Sequence, residues 1–413
     1  MGEEQAIRTL FAAASFPWPA MDGNTRRLAA LIEGLARAGP VEFWFICNSA
    51  DPVVSAGDSA TAPDGVIVRR IPVRTTGRAE RIWRWLTTGK PRATLRYWPL
   101  AMPVVDPDAF DVAVLYHLDS WSFLEAGMTV PSIVDFVDLE DQLMLARSRL
   151  ELSAGHAGKG ILERARSLVS LAVDREDARR LVRLQRRAAA AAHAVTVCSE
   201  FDLSLLDVSN GRVIPNGYTL DWVAPTARRS VPDPVLLFVG ILSYEPNADA
   251  ARWFAGSVFP LVRQRFPGAR LRVVGRGGDW LTAEFEGCPG VEIVGGVDDL
   301  RPELDGALVA VVPLRAGSGT RLKVIEALAN RLCVVTTTVG CEGIEVEDGR
   351  HCLIADDEAG LADAIARALE DDALRAALAD EGEALFLRKY RWSTIQDGLV
   401  TLAREASGAG PAR

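Results

Sequence analysis

The chain has 413 residues, of which 49% are hydrophobic and 24% charged, and a net charge of −9. That length holds two domains with full cores, and the composition is that of an ordinary globular protein. The negative balance argues against nonspecific nucleic-acid binding, and no apolar run reaches the roughly eighteen residues of a membrane span.

Six cysteines, Cys47, Cys198, Cys288, Cys333, Cys341 and Cys352, are scattered without a Cys-x-x-Cys pair. Most lie in or beside apolar segments and read as small core residues in a reducing compartment. Met1-Gly2-Glu3-Glu4 is acidic and the apolar start is short, which is unlike a signal peptide. The expected location is cytoplasmic.

Ile7 to Ala14 reads as a buried strand, Ser15 to Arg26 as a long Pro/Gly loop, and Arg27 to Ala38 as a helix. Strand, loop, helix is the opening of a nucleotide-type fold, and a long βα loop favours function over linkage. Gly23 in that loop lets backbone approach a ligand. Strands follow at Val41–Ile46 and Val66–Ile71. The stretch from Arg78 to Leu100 clusters Trp, Tyr and Arg, either as an acceptor surface or as a helix packing its aromatics inward under Arg stems.

Asp111–Tyr116 is the next buried strand, with His117 at its carboxyl end, the edge where doubly wound sheets bind ligands. Pro131–Val137 leads into Asp135-Phe136-Val137-Asp138-Leu139-Glu140-Asp141, a run read either as an acceptor-orienting group, Asp138, or as a solvated helix start. No His or Cys partners it, so no metal site is expected. Leu143 to His193 is helical and Arg-rich, and Asp174, Glu176 and Asp177 among the cations favour a solvated face. At most peripheral membrane contact is expected.

After the strand Ala194–Cys198, the turn Val213-Ile214-Pro215-Asn216-Gly217-Tyr218 marks a boundary, followed by a polar, Pro-rich stretch. The domains expected are 1–212 and 213–390, followed by a segment 391–413 with a disordered tail. Strands Val235–Val239 and Arg270–Val274 follow, and Gly275-Arg276-Gly277-Gly278 fails as a dinucleotide fingerprint because Trp280 holds its sixth position.

The central stretch is Pro313 to Ala329. A strand, Ala307 to Val312, leads into Arg315-Ala316-Gly317-Ser318-Gly319-Thr320, and then into a helix whose first turn carries Arg321 and Lys323. A helix N-terminus is already positive, so two cations there are unfavourable until an anion arrives. Loop amides, helix dipole and two cations together suit a polyphosphate or sugar diphosphate. Glu326, one turn on, is placed to accept from ribose hydroxyls, and a P-loop is excluded because its Gly-Lys-Ser/Thr ending is missing.

This stretch, with Val334-Val335-Thr336-Thr337 and the turn Val339-Gly340-Cys341-Glu342-Gly343-Ile344, resembles the donor-site signature of group 1 retaining glycosyltransferases. The resemblance implies an α/β protein of the GT-B fold, two Rossmann-like doubly wound parallel sheets facing across a cleft. It further implies transfer of a sugar from a nucleotide diphosphate donor to a hydroxyl of a small natural product or a glycan. Retention is expected, with no metal and no cofactor beyond the donor substrate, and with a donor phosphate oxygen taking the acceptor proton.

On the same resemblance Gly23, Asn216 and Gly240 line the cleft, Gly275 and Val297 lie beside the donor base, and His117 contacts the donor sugar, its reacting centre or the acceptor. Ser318 stands where many members carry a first glutamate, and the loop after Val239 lacks their Arg and Lys, which shifts the phosphates onto Arg321, Lys323 and the loop, with Arg315 assisting, or marks a subgroup with the turn Pro246-Asn247. An epimerase of the same architecture and an inert nucleotide-sugar binder remain the alternatives. Oligomeric state is left open.

Overall fold

In the computed structural model the described residues are 5–20, 22–48, 62–99, 103–137, 139, 141–142, 144, 161–225, 231–317 and 321–408. Asp138, Ser318, Gly319 and Thr320 lie outside them, as does most of 143–160. The chain divides into two units, one of residues up to Asn216 together with those from Trp392, the other Gly217–Arg391.

The first unit holds strands β1 (Thr9–Ala13), β2 (Val41–Asn48), β3 (Val66–Thr75), β4 (Tyr97–Pro99), β5 (Val112–Tyr116), β6 (Ser132–Asp135), β7 (Ala194–Val197) and β8 (Gly211–Val213). Their order is β4-β3-β2-β1-β5-β6-β7-β8, and only β4 runs antiparallel to its neighbour. Strands β1, β5, β6 and β7 are buried at every residue, because helices cover both faces of a parallel sheet. β3, nearer the edge, is exposed at Ile67 and buried at Ile71 and Val73.

The first helix starts at Gly23 rather than Arg27. Asp22 caps it: Oδ1 accepts from the Thr25 amide at 2.8 Å, and Thr25 Oγ1 accepts from the Asp22 amide at 3.0 Å. The earlier start carries Arg27 inside the helix and into the core. The last helix, Trp392–Ser407, packs on this first one through Ile395, Leu399, Leu402 and Ala403. Gln396 Nε2 donates to the Ala30 carbonyl at 2.7 Å, and a Cβ on Gly34 would lie 2.7 Å from the Gln396 side chain.

The tryptophan-rich stretch divides between the two readings. Trp85 turns inward, donating to Asp177 at 2.8 Å with the Arg180 guanidinium 4.2 Å from its ring, whereas Trp83 points to solvent. The inward-packing expectation thus holds for Trp85 and for Tyr97, which packs partly buried against the core, and fails for Trp83.

The second unit has six parallel strands in the order β11-β10-β9-β12-β13-β14. They are β9 (Val235–Val239), β10 (Arg270–Val274), β11 (Val291–Gly295), β12 (Val309–Val312), β13 (Cys333–Thr336) and β14 (Leu353–Ile354). Phe238, Phe254, Phe259, Leu328 and Ile365 build its core. The three thiols of this core, Cys333, Cys341 and Cys352, are pushed above the ordinary range chiefly by burial, Cys333 to about 12 and Cys341 to about 11. They are packing residues rather than nucleophiles.

In each unit the strand order reverses direction next to its first strand, between β1 and β5 and between β9 and β12. Loops leaving the two strands diverge there, which opens a crevice at the carboxyl ends. Among the described residues no helix is long and apolar enough to cross a membrane.

Candidate active site

In the second unit the site grows from the junction of β9 and β12. β9 ends at Val239, and the Gly240 amide donates to the Val274 carbonyl at 2.9 Å. A Cβ on Gly275 would lie 1.7 Å from the Gly240 oxygen, so this crossing of two strand ends requires glycine. The next helix, Glu245–Trp253, brings in Asn247, which is buried. Asn247 Nδ2 donates to the Ile241 carbonyl at 2.9 Å and holds the loop closed.

From the β12 side the helix Leu322–Ala329 sends Lys323 back toward this loop. Lys323 Nζ donates to Asn247 Oδ1 at 2.6 Å and lies 4.6 Å from the centre of the Phe238 ring. A Cβ on Gly240 would lie 2.9 Å from the Asn247 amide and from Lys323 Nζ. The residue is half-buried, with its ammonium end enclosed by these three groups. Burial pushes its pKa down to about 7, the Arg321 charge adds to that, and Glu326 opposes both. Among the described residues Lys323 makes no ion pair.

The two arginines expected beside it have other partners. Arg321 is buried, its Nε donates to the Val339 carbonyl at 3.1 Å, and its Nη2 is 3.8 Å from Glu342 Oε1. It pins the central loop to the 339–342 turn: a Cβ on Gly317, whose φ is +145°, would lie 3.3 Å from Arg321 Nη2. Arg315 pairs with Asp249 at 3.0 and 2.5 Å, its guanidinium 5.0 Å from the Trp253 ring. Lys323 is therefore the cation at Gly240, while Arg321 and Arg315 brace the loop around it. Glu326 is half-buried one turn along the same helix, and Val297 follows β11 in partly buried contact with the core. Gly240, Gly275 and Val297 thus follow the carboxyl ends of three adjacent parallel strands.

In the first unit the corresponding junction joins the loop after β1 to the end of β5. His117 takes φ +64°, a left-handed backbone uncommon for a non-glycine residue and frequent where strain serves function. Its Nε2 is 3.1 Å from Asn24 Oδ1, which also accepts from the Tyr116 hydroxyl at 2.9 Å. Gly23 opens the helix that carries Asn24.

Beneath this edge Arg27 is fully buried. It pairs with Asp135 through two 3.0 Å hydrogen bonds and donates to the Ile214 carbonyl at 2.9 Å, the Pro215 carbonyl at 3.0 Å and Asn216 Oδ1 at 3.2 Å. Thr196 Oγ1 donates to Asp135 at 2.9 Å. Burial is the largest single influence and acts to lower the Arg27 pKa, but the Asp135 charge and hydrogen bonds, with Cys198 and Tyr116, together outweigh it and the group stays above its ordinary value. Asn216 is thus held from within its own unit.

Residues 233–371 match the family described as Glycosyl transferases group 1. The second unit carries a group 1 glycosyltransferase domain. Two curated relatives align over part of the chain. An uncharacterized 44.6 kDa protein in the cps region of Klebsiella pneumoniae is 27% identical over 131 residues, 30% of this chain and 34% of that protein. A phosphatidyl-myo-inositol mannosyltransferase of Mycolicibacterium smegmatis is 28% identical over 181 residues, 42% and 46% of the two chains. The chain thus spans less than half the length of either relative.

Among solved structures, sucrose-phosphate synthase from Thermosynechococcus elongatus is similar at a TM-score of 0.65, 18% identity and coverage of 98% and 100%. Anabaena Alr3699/HepE in complex with UDP and glucose is similar at 0.58 and 13%, with coverage of 95% and 98%. These likenesses give the fold, which is GT-B.

Sequence reading noted Asn247 only as part of a Pro-Asn turn and missed Asn24 and the Arg27–Asp135 pair. A signal existed for Asn247, an amide directly after a Pro at a helix start. None existed for Arg27, since nothing local distinguishes it from Arg26.

Proposed function

We propose that this protein is a nucleotide-sugar-dependent glycosyltransferase that binds the donor diphosphate at Gly240 and Lys323. The observation that supports it is the enclosed ammonium of Lys323, held by an amide and a ring at the switch point of a parallel sheet. An ammonium depressed toward neutrality gains most from a ligand that brings negative charge. The diphosphate supplies that charge, and more of it as the bond from the anomeric carbon to the phosphate oxygen breaks and the electron pair moves onto the leaving group.

In this reading the acceptor oxygen forms the new bond on the retained face, and its proton passes to a donor phosphate oxygen. Lys323 carries the leaving-group charge in place of a metal. Arg321 and Arg315 keep the loop in register, Glu326 takes the ribose, and His117, oriented by Asn24, meets the sugar or the acceptor. UDP is the first donor nucleotide to try, because the fold relative HepE is seen with it.

The test is a thermal shift with UDP, GDP, dTDP and ADP, with and without EDTA, on wild type and Lys323→Ala. Ligand at a hundred times its dissociation constant stabilises by about 2.7 kcal/mol. The reading expects one nucleotide to raise the melting temperature with or without EDTA, and Lys323→Ala to lose the effect. A shift that Lys323→Ala retains in full would move the phosphates elsewhere.

A further inference from the structure

The helix Arg78–Thr88 is turned the wrong way for a core element. Ordinary amphipathic helices bury the apolar stripe, yet none of this helix's residues is buried. Ile82, Trp83 and Leu86 are 53, 64 and 67% exposed, and Ala79 is exposed beside them. At about 100° per residue these four side chains fall within an arc of about 100°. The polar face turns to the protein instead: Trp85 and Arg180 meet there, and Arg74 pairs with Glu80 at 2.7 Å. Gly77 and a left-handed Gly89 bound the helix at its ends.

Charge is segregated onto the same stretch. Residues 69–96 hold nine Arg or Lys against one acid, Glu80, a charge of +8 in a chain whose total is −9, so the rest carries −17. Some of these cations are spent on ion pairs, Arg69 with Glu42, Lys90 with Glu125 and Arg92 with Asp174 and Asp177. Among the described residues Arg78, Arg81 and Arg96 make no ion pair, and Arg78 and Arg96 are exposed.

We propose that the helix Arg78–Thr88 is a docking element that lays Ile82, Trp83 and Leu86 into the surface of an anionic lipid bilayer. The stripe is too short to span and wide enough to sink to the acyl boundary, and Trp is the side chain that settles at that depth. The unpaired arginines fit phosphate headgroups, and their attraction is lost with salt. The charge of +8 on this stretch against −17 on the rest of the chain favours approach by this face, so the docking also sets the protein's orientation. This inference does not depend on the donor chemistry.

Flotation of the full chain with vesicles tests it. Wild type is expected to float at low salt with vesicles of phosphatidylcholine mixed with phosphatidylglycerol, and to stay behind with phosphatidylcholine alone. Trp83→Ser with Leu86→Ser is expected to weaken binding by about ten-fold or more, and Arg78→Gln and Arg81→Gln by about five-fold each. The exposed positions of Trp83 and Leu86 predict an unchanged melting temperature for that pair, which separates lost docking from lost folding. Wild type that fails to float with the mixed vesicles, or a Trp83/Leu86 double variant that floats equally well, overturns the proposal. So does concentration-dependent self-association that the double variant abolishes without any flotation, because the stripe would then belong to a second copy of the chain.

Discussion

Each unit encloses a cation beside its switch point, and the two are treated in opposite ways. Arg27 meets a carboxylate, two carbonyls and an amide oxygen, so its charge is met in full within the first unit. Lys323 meets an amide and a ring, and its proton is loosened instead. A buried charge with its counter-charge built in is architecture. Lys323 makes no ion pair among the described residues, and that difference is what supports the proposed anion site.

The largest expected effect breaks this comparison if it fails. Arg27→Met leaves Asp135 buried and uncompensated, and should lower stability by about 3–5 kcal/mol in denaturant melts. Lys323→Met removes a charge that the fold disfavours, and should leave the melting temperature unchanged or raised. Equal losses from the two substitutions would mean that Lys323 is structural too.

Next in size is affinity. Lys323→Met should weaken binding of the matched nucleotide by about 1.5–3 kcal/mol, the range for a hydrogen bond to a charged group, read by calorimetry. Gly240→Ala should weaken it less, by displacing the ammonium and Asn247 rather than deleting them.

Proton linkage sharpens the contrast. With Lys323 at about 7 when folded and near 10.5 when unfolded, the unfolded chain holds more protons between those values. This group therefore costs stability fully below pH 7, and the cost is relieved as pH rises toward 10. Binding runs the other way. The anion needs the ammonium, so affinity for a sugar nucleotide should fall by up to about ten-fold per pH unit above 7, with proton uptake visible as a buffer-dependent heat. Lys323→Met should abolish both. The smallest effect is expected in the first unit: Asn24→Ala should leave nucleotide affinity unchanged while slowing transfer, because it frees the His117 ring.

Strands buried on both faces were legible, because Val112–Tyr116, Val235–Val239 and Val309–Val312 are continuous apolar runs in which two-sided burial leaves no ambiguity. The short edge strands β4, β8 and β14 were not, since two to three residues carry no period. Lys323 could be picked out because a cation in a first helical turn is electrostatically out of place. The division of labour between Lys323 and Arg321 was not readable, as it depends on which carbonyls surround each side chain once the 339–342 turn has folded against the loop. The tryptophans failed for a related reason. Trp83 and Trp85 have like neighbours in sequence, and only the tertiary position of Asp177 and Arg180 decides which ring is covered.

The last helix has a consequence for synthesis. Residues 217–391 are continuous, so the second unit can close its sheet as soon as they have left the ribosome. The first unit cannot, because the helix Gly23–Ala36 waits for Trp392–Ser407, and Gly34 and Ala30 for Gln396. The half translated first is therefore completed last. Until then its exposed helix face is a surface for chaperones or for misassembly, and a chain truncated after Arg391 should carry a protease-resistant second unit tethered to an unfinished first one.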